Sequence, residues 1–410
     1  MATIAILGTM DTKGVEHAYV ADCIGRRNHQ TLVIDVGTLG EPRLRPDITR
    51  AEVAAAAGVE VAALAAQRDR GAAVTAMSRG APVILARLAA AGRVDGVISL
   101  GGGGGTAIAT AAMRVLPVGF PKVMVSTLAS GDTAPYVGGK DIVMFPSIVD
   151  IAGLNRLSRL ILSRAAGAIC GMVEAALPAT PDKPIIVASQ FGNTTPCVDL
   201  ARQILEDAGH EVLVFAAVGT GGRTMESLIE SGMVAGVLDL TTTELADELV
   251  GGVLTAGPNR LEAAARHGVP AVVSTGCLDM VNFREANTVP SQFHNRRFYA
   301  HNPQVTLMRT DVRENQQLGC ILARKLSLSK GPVTVVLPLR GGSMISAPGQ
   351  PFHDPQADRA LYEALKANLR PDIPVVELDC AINDPPFAAT CAQELLRHLD
   401  GARGCIKLLA

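Results

Sequence analysis

The sequence predicts an α/β protein of two Rossmann-like subdomains with mainly parallel sheets and an interdomain cleft. Three observations predict it. Short β-branched runs alternate along the chain with longer alanine- and leucine-rich amphipathic stretches, the pattern of parallel strands covered on both faces by helices. At 410 residues the chain exceeds the size at which a single core stops growing. Finally, LPATPDKP at 177–184 carries three prolines and no apolar period, and a fresh strand comes directly after it. Proline blocks helix continuation and biases its predecessor to extended geometry. The boundary gives a first domain over 1–180 and a second over 181–410.

The strands expected in the first half are TIAILG, TLVIDV, VDGVISL, PKVMVST and DIVMF, with helices over 50–70, 72–91 and 105–113. In the second half PIIVAS, HEVLVFAA, VAGVLDL, PAVVST, VTLMRT, VTVVLP and PVVELD alternate with helices over 196–208, 223–231, 258–267, 312–327 and 355–369.

Bulk composition excludes several classes. A formal net charge of −2 gives no electrostatic draw toward nucleic acid or anionic membrane. Aromatics make up 3% and tryptophan is absent, which leaves few stacking platforms for single-stranded nucleic acid. The eight cysteines form no C-x-x-C pair, so a reducing cytoplasm is expected rather than a disulfide scaffold or zinc ribbon. No apolar run reaches about 18 residues, and MATIAILG reads as a first strand rather than a signal peptide.

Ligands of open parallel sheets bind beyond the carboxyl ends of the strands, so the residues immediately after each strand carry the chemistry. Five glycines, Gly101, Gly102, Gly103, Gly104 and Gly105, come after VDGVISL and lead to Thr106, where a helix is expected to begin. Glycine admits close ligand approach, and a helix N-terminus supplies unpaired N–H groups and a positive dipole end. The phosphate loop G-x-x-x-x-G-K-[ST] is absent because no lysine succeeds the glycines. Gly102, Gly104 and Ala107 meet the dinucleotide spacing, but the next strand ends at Ser126 and Thr127 without the acidic residue that holds a ribose. A mononucleotide phosphate fits better. Asp11, Thr12 and Lys13 stand just after the first strand, and Ser78, Arg79 and Gly80 form a candidate turn after a helix at 72–77. Lys13 and Arg79 would neutralise phosphate charge.

In the second half Arg223 and Glu226 come after the GTGG loop three residues apart, hence on one helical face. Thr241, Thr242 and Thr243 precede Glu244 and Asp247, either as a helix cap or as part of a site. Glu226 and Asp247 are the candidate carboxylates for magnesium, a hard cation that takes carboxylate, water and phosphate oxygens. His301 is a candidate base just before a strand that ends at Arg309. The basic stretch HNRRF at 294–298 would clamp an acidic substrate or lie solvated. Asp279, Asn383 and Asp384 are further polar strand-end residues, the last two most simply a turn and helix start.

The blocks MDTKG, GGGGGT, STLASGDTAPYVGGKDI, DIAGLN, QFGNTTPCV, GTGGRTMESLI, LDLTTTELAD, AGPNRLEAA, HNPQVTLMRT and INDPPFA occur in that order. Together they resemble an uncharacterised bacterial family that shares the ATP-binding N-terminal region of the tomato mosaic virus resistance protein. The resemblance covers essentially the whole chain. It implies two Rossmann-like subdomains, ATP in the first, and a homodimer. Nucleotide contacts would fall on Asp11, Thr12, Lys13, the Ser78–Gly80 turn and the glycines through Thr106. The chain departs from the family at Ala216 and Ala381, where relatives commonly carry histidine.

The expected function is ATP binding with phosphoryl transfer to a small polar or acidic metabolite. Arg223, Glu226, Glu244, Asp247 and His301 are the candidate catalytic set on the substrate side of the cleft, with magnesium on Glu226 and Asp247. An ATP-binding sensor or partner-binding module without turnover stays open. So does a lyase or hydrolase of phosphorylated or carboxylated metabolites.

Overall fold

A computed structural model of the chain describes residues 1–176 and 183–407. Most of the proline-rich LPATPDKP stretch, residues 177–182, lies outside the described residues. The chain divides into two compact units, Met1–Ala179 and Thr180–Ala410. Both are α/β, each built on a parallel sheet.

Unit 1 runs β1 (Thr3–Gly8), α1 (Met10–Gly25), β2 (Gln30–Asp35), α2 (Arg50–Ala56), α3 (Val61–Gln67), α4 (Arg70–Ala90), β3 (Gly96–Gly101), α5 (Gly103–Arg114), β4 (Lys122–Ser126), α6 (Ala134–Val137), β5 (Val143–Pro146) and α7 (Arg156–Glu174). The five strands pair in the order β2-β1-β3-β4-β5, all parallel. Alternation of the strand residues splits the core in two. Ile4 and Ile6 pack with Ile24 and Leu162 from α1 and α7, while Ala5 and Leu7 pack with Met77, Leu85 and Ile108 from α4 and α5.

Unit 2 runs β6 (Ile185–Gln190), α8 (Thr195–Asp207), β7 (Glu211–Ala216), α9 (Thr220–Glu230), β8 (Val234–Thr241), α10 (Glu244–Val250), α11 (Ala263–His267), β9 (Ala271–Gly276), β10 (Met280–Phe283), β11 (Phe298–Asn302), β12 (Val305–Arg309), α12 (Val312–Leu326), β13 (Val333–Pro338), α13 (Pro355–Asn368), β14 (Val375–Leu378) and α14 (Pro385–Lys407). Six strands form a parallel sheet, β14-β13-β9-β8-β6-β7. VTLMRT, expected to join such a sheet, is instead β12, the centre of a separate antiparallel sheet β10-β12-β11.

Three local expectations are corrected. The helix expected over 50–70 is two short helices, broken where Gly58 adopts a φ of 74°. Ser78, Arg79 and Gly80 are not a turn after a helix, because α4 passes through them without interruption. A Cβ on Gly80 would lie 2.0 Å from the Val53 carbonyl oxygen, so this glycine serves close packing of α4 on α2 rather than a bend. The helix expected over 258–267 is reduced to Ala263–His267, because the preceding loop turns Arg260 into the interior.

Candidate functional site

The site arises from strand order. From β1 the chain crosses to β2 on one side, whereas β3, β4 and β5 are laid down on the other. The sheet of unit 1 therefore has its topological switch between β1 and β3, and the crevice beyond the carboxyl ends of those strands is where such sheets take ligands. A pocket of about 940 Å³ opens there, within unit 1 alone. This is the upper part of the range for small-molecule sites.

The glycine run forms one wall. β3 continues through Gly101, Gly102 is the residue before the helix, and Gly103, Gly104 and Gly105 are the first turn of α5. The helix thus begins three residues earlier than the sequence suggested. No side chain caps it, so the first-turn amides, which lack intrahelical acceptors, stay available to an anion. The glycines divide by what a side chain would meet. A Cβ on Gly101 would lie 2.9 Å from Gly105 backbone, and one on Gly104 would lie 3.1 Å from Val74. At Gly102 and Gly103 it would meet nothing closer than 3.7 and 4.0 Å. The first pair serves packing and the second keeps the pocket open. Gly102 to Gly105 line the pocket, whereas Gly101 and Thr106 are buried behind it. The Thr106 hydroxyl bonds Ser126 Oγ at 2.7 Å and fixes the run against β4.

Asp11, Thr12 and Lys13 form the facing wall. Helix α1 is kinked at Lys13 (φ −125°, ψ 20°), and the Lys13 ammonium donates to the Ile151 carbonyl at 2.5 Å. Asp11 is buried. Its Oδ2 accepts the Leu39 amide at 2.8 Å, while its Oδ1 has no partner. Gly37 must lack a side chain, because a Cβ there would fall 2.6 Å from the Asp11 carboxylate. Ser78, Arg79 and Gly80 do not line the pocket. It is the first turn of α4 that does, through Arg70, Ala73 and Val74, joined by Arg68 and Leu64 from the α3 end. Arg68 and Arg70 add two cations that sequence reasoning missed, since both lay inside a presumed continuous helix. Thr127, Ser130 and the Ser147–Asp150 segment complete the rim.

Unit 2 distributes its candidates differently. Arg260, 1% exposed, donates two bonds to Asp239 (2.5 and 2.7 Å), one to Glu244 (2.6 Å) and one to Glu226 (3.1 Å). Burial opposes its charge, but Asp239 and then the two glutamates hold its pKa well above the usual arginine value. Glu244 Oε1 also accepts the amides of Gly219 and Gly222 at 2.7 and 3.1 Å. The GTGG turn that opens α9 is therefore already filled by a carboxylate of the chain itself. Glu226 accepts the amides of Leu261, Glu262 and Ala263 and caps α11. Burial pushes its pKa up, against the pull of Arg260. Asp247 accepts from the backbone and side chain of Asn282, and burial pushes its pKa to about 7.

These carboxylates hold the fold together, and among the described residues no group of three or more His, Cys, Asp or Glu is placed to hold a metal. Glu226 and Asp247, the two carboxylates expected to take magnesium, are engaged instead by Arg260 with backbone amides and by Asn282, respectively. Arg223 is exposed on α9 and spans to the Thr255 carbonyl at 2.8 Å. His301 lies exposed within β11, ahead of the β12 strand that ends at Arg309 as expected, and the structure does not join it to the carboxylates. Arg309 is fixed by Asp358 at 2.5 Å and by the Phe352 carbonyl. In HNRRF, Arg296 pairs with Glu314 and Arg297 bonds the His353 carbonyl, so neither is a free clamp. Asp279 is bonded by Ser343, Asn383 bonds the Asn193 carbonyl, and Asp384 accepts the Ala381 amide ahead of α14. Ala216, exposed at the end of β7, lines a smaller opening of about 370 Å³ with Phe191 and Val214.

Residues 2–178 match the N-terminal domain, and residues 183–399 the C-terminal domain, of the uncharacterised protein family UPF0261. The chain belongs to this family. A UPF0261 protein of Clostridium tetani (strain Massachusetts / E88) is 50% identical over 399 residues, 97% of this chain and 99% of the relative. The tomato mosaic virus resistance protein Tm-1(GCR237) of Solanum lycopersicum is 42% identical over 337 residues, which is 80% of this chain and 44% of the tomato protein. Family membership thus extends over both units. Among solved structures, a UDP-N-acetylglucosamine 2-epimerase from Rickettsia bellii aligns over 66% of this chain and 78% of its own, at 12% identity and a TM-score of 0.23. That likeness is too weak to bear on function. No helix among the described residues is long and apolar enough to cross a membrane.

Proposed function

We propose that this protein binds ATP in the pocket of unit 1 and transfers a phosphoryl group to a small polar metabolite, as a cytoplasmic homodimer. The observation that carries the reading is the uncapped glycine turn of α5 at the switch between β1 and β3. Val36, Leu39, Leu64, Val74 and Ile108 offer an apolar slot for a base. The unpartnered, buried Oδ1 of Asp11 suits a donor on the ligand such as a ribose hydroxyl. Lys13, Arg68 and Arg70, with the glycine amides, suit the phosphates. In phosphoryl transfer such groups act by positioning and by neutralising charge. Magnesium would enter as the counter-ion of the triphosphate rather than at Glu226 and Asp247.

The test is calorimetric titration with magnesium-ATP of the wild type and of Lys13→Ala, with ADP release followed in parallel. Binding that weakens at least tenfold in the variant is expected, and an absence of nucleotide binding to the wild type would sink the reading. A second reading, an ATP-binding module without turnover, is favoured by the structural occupation of Glu226, Glu244 and Asp247. It requires that ATP bind and remain intact with every acceptor offered.

A further inference from the structure

Along the strand-end edge of unit 1 the pocket lining changes character in one direction. Beyond β2 it is apolar, through Val36, Leu39 and Leu64. Beyond β1 and β3 it is cationic and amide-rich, through Lys13 and Gly102–Gly105. Beyond β4 and β5 it bears hydroxyls and a carboxylate, Thr127, Ser130, Ser147 and Asp150, and no lysine, arginine or histidine. Three strand intervals separate β2 from β4, about 14 Å at the usual spacing. A nucleoside triphosphate laid with its base at β2 and its phosphates across β1 and β3 therefore presents its terminal phosphorus toward β4.

The loop after β5 then turns back toward α1. The Ile151 carbonyl is held by Lys13, and the Gly153 amide donates to Glu16 Oε1 at 2.6 Å, so residues 150–153 lie against the start of α1. The return begins with a γ-turn in which the Val149 amide donates to the Ser147 carbonyl at 2.7 Å. Its central residue, Ile148, has a φ of 64° and is 70% exposed. A β-branched residue in the left-handed region is a strained conformation that persists where surrounding structure demands it, often at ligand sites. Asp150 comes directly after this turn. Its Oδ1 accepts the Ile151 amide at 2.8 Å, and it makes no ion pair among the described residues.

We infer that the β4–β5 side of this pocket is an acceptor subsite for a neutral, hydroxyl-bearing small molecule, with Asp150 as the base that receives the hydroxyl proton. The inference rests on the reading of the pocket as a nucleoside triphosphate site. The acceptor oxygen forms a bond to the terminal phosphorus, and the bond from that phosphorus to the bridging oxygen breaks. The electron pair leaves with the nucleoside diphosphate, and the proton passes to Asp150 and on to solvent. Thr127 and Ser130 match the hydroxyls of a polyol. A carboxylated or phosphorylated acceptor would meet Asp150, and the cation at that loop, Lys13, is already committed to the Ile151 carbonyl and the nucleotide phosphates.

The full chain, Asp150→Asn and Thr127→Val provide the test. Calorimetry with a non-hydrolysable ATP analogue should give unchanged affinity in both variants. Ligand-observed NMR in the presence of that analogue should show glycerol, erythritol, ribitol or a neutral aldose binding to the wild type, and more weakly to Thr127→Val. With magnesium-ATP, at least one of these should raise ADP release above the rate with water alone. Asp150→Asn should then lose about 10²–10⁴-fold in kcat with the KM for ATP unchanged. Acceleration only by carboxylated acceptors, by none of the compounds, or equally in Asp150→Asn would overturn the acceptor subsite while leaving nucleotide binding intact. Failure of the wild type to bind the analogue would instead remove the nucleotide reading beneath it.

Discussion

Arg260 shows how much chemistry-bearing sequence a fold can absorb. Its guanidinium serves three carboxylates, two of them buried, and Glu244 and Glu226 among them serve helix N-termini. Replacing it by methionine keeps much of the volume but leaves Asp239, Glu226 and Glu244 without their cation. Loss of one partner from such a buried network costs about 3–5 kcal/mol. Urea denaturation of Arg260→Met should show that loss. Asp247 gives a prediction of opposite sign. Burial raises its pKa to about 7, whereas in an unfolded chain it titrates near 3.9. Between these values the folded state keeps a proton that the unfolded chain has released. Its contribution to stability is therefore full below about pH 4 and lost as pH rises through about 7, roughly 4 kcal/mol at most. Asp247→Asn removes the titration. The buried Asn282 Oδ1, which has no partner, can accept from the new amide once the Asn282 side chain flips. Melting temperatures across pH 4–8 should thus fall less steeply for the variant, and at pH 8 it should be at least as stable as the wild type. A parallel fall would mean that Asp247 is ionised throughout.

The glycines of α4 and α5 make the same residue type do different work in neighbouring helices. At Gly80 a methyl group would be driven into the Val53 carbonyl. Gly80→Ala should therefore separate α2 from α4 and cost about 1–3 kcal/mol in chemical denaturation. At Gly103 the methyl group would meet only Leu128 Cδ1, at 4.0 Å, in a helical first turn where alanine is the better helix former by roughly 0.5–1 kcal/mol. Gly103→Ala should raise the melting temperature yet weaken ATP binding at least tenfold, a pair of opposite signs that a purely structural glycine would not give. This contrast also marks what the sequence made legible. TIAILG, TLVIDV and VDGVISL announced their strands as short β-branched apolar runs, and the glycine run announced an anion cradle because strand, turn and helix are adjacent in the chain. Ser78–Gly80 misled because a glycine in a helix is indistinguishable locally from a breaker. Its reason is the backbone of α2, more than twenty residues away. Arg68 and Arg70 stayed hidden because their importance depends on a helix break at Arg68, whose φ of 49° no local residue preference demanded.

At the scale of the chain, both units repeat one architecture, with a switch point between β1 and β3 in the first and between β6 and β8 in the second. Sequence alone treated their small-residue loops alike, since a GTGG turn and a GGGGG turn both precede helices. The difference lies in a partner that only folding supplies. In unit 1 the turn faces open space, and in unit 2 Glu244 reaches it from 22 to 25 residues further along. Hydrogen exchange with and without magnesium-ATP should separate the two. Amides at Thr9–Lys13 and Gly102–Thr106 should gain protection, while those of Gly219 and Gly222 should exchange at unchanged rates. Protection at Gly219 and Gly222 would contradict both the occupant and the site assignment.

Glu244 can also be regarded as a tethered ligand, a carboxylate delivered at effectively saturating local concentration to a receptor that no solute then enters. A Cβ on Gly222 would come within 2.2 Å of it, a measure of how closely the turn is moulded around the group. Shortening the tether, as in Glu244→Ala, would vacate a carboxylate-shaped cavity between the α9 amides and Arg260. Formate or acetate supplied from solution should then restore stability in a saturable manner, so that unit 2 becomes an anion receptor whose affinity can be read from a melting curve.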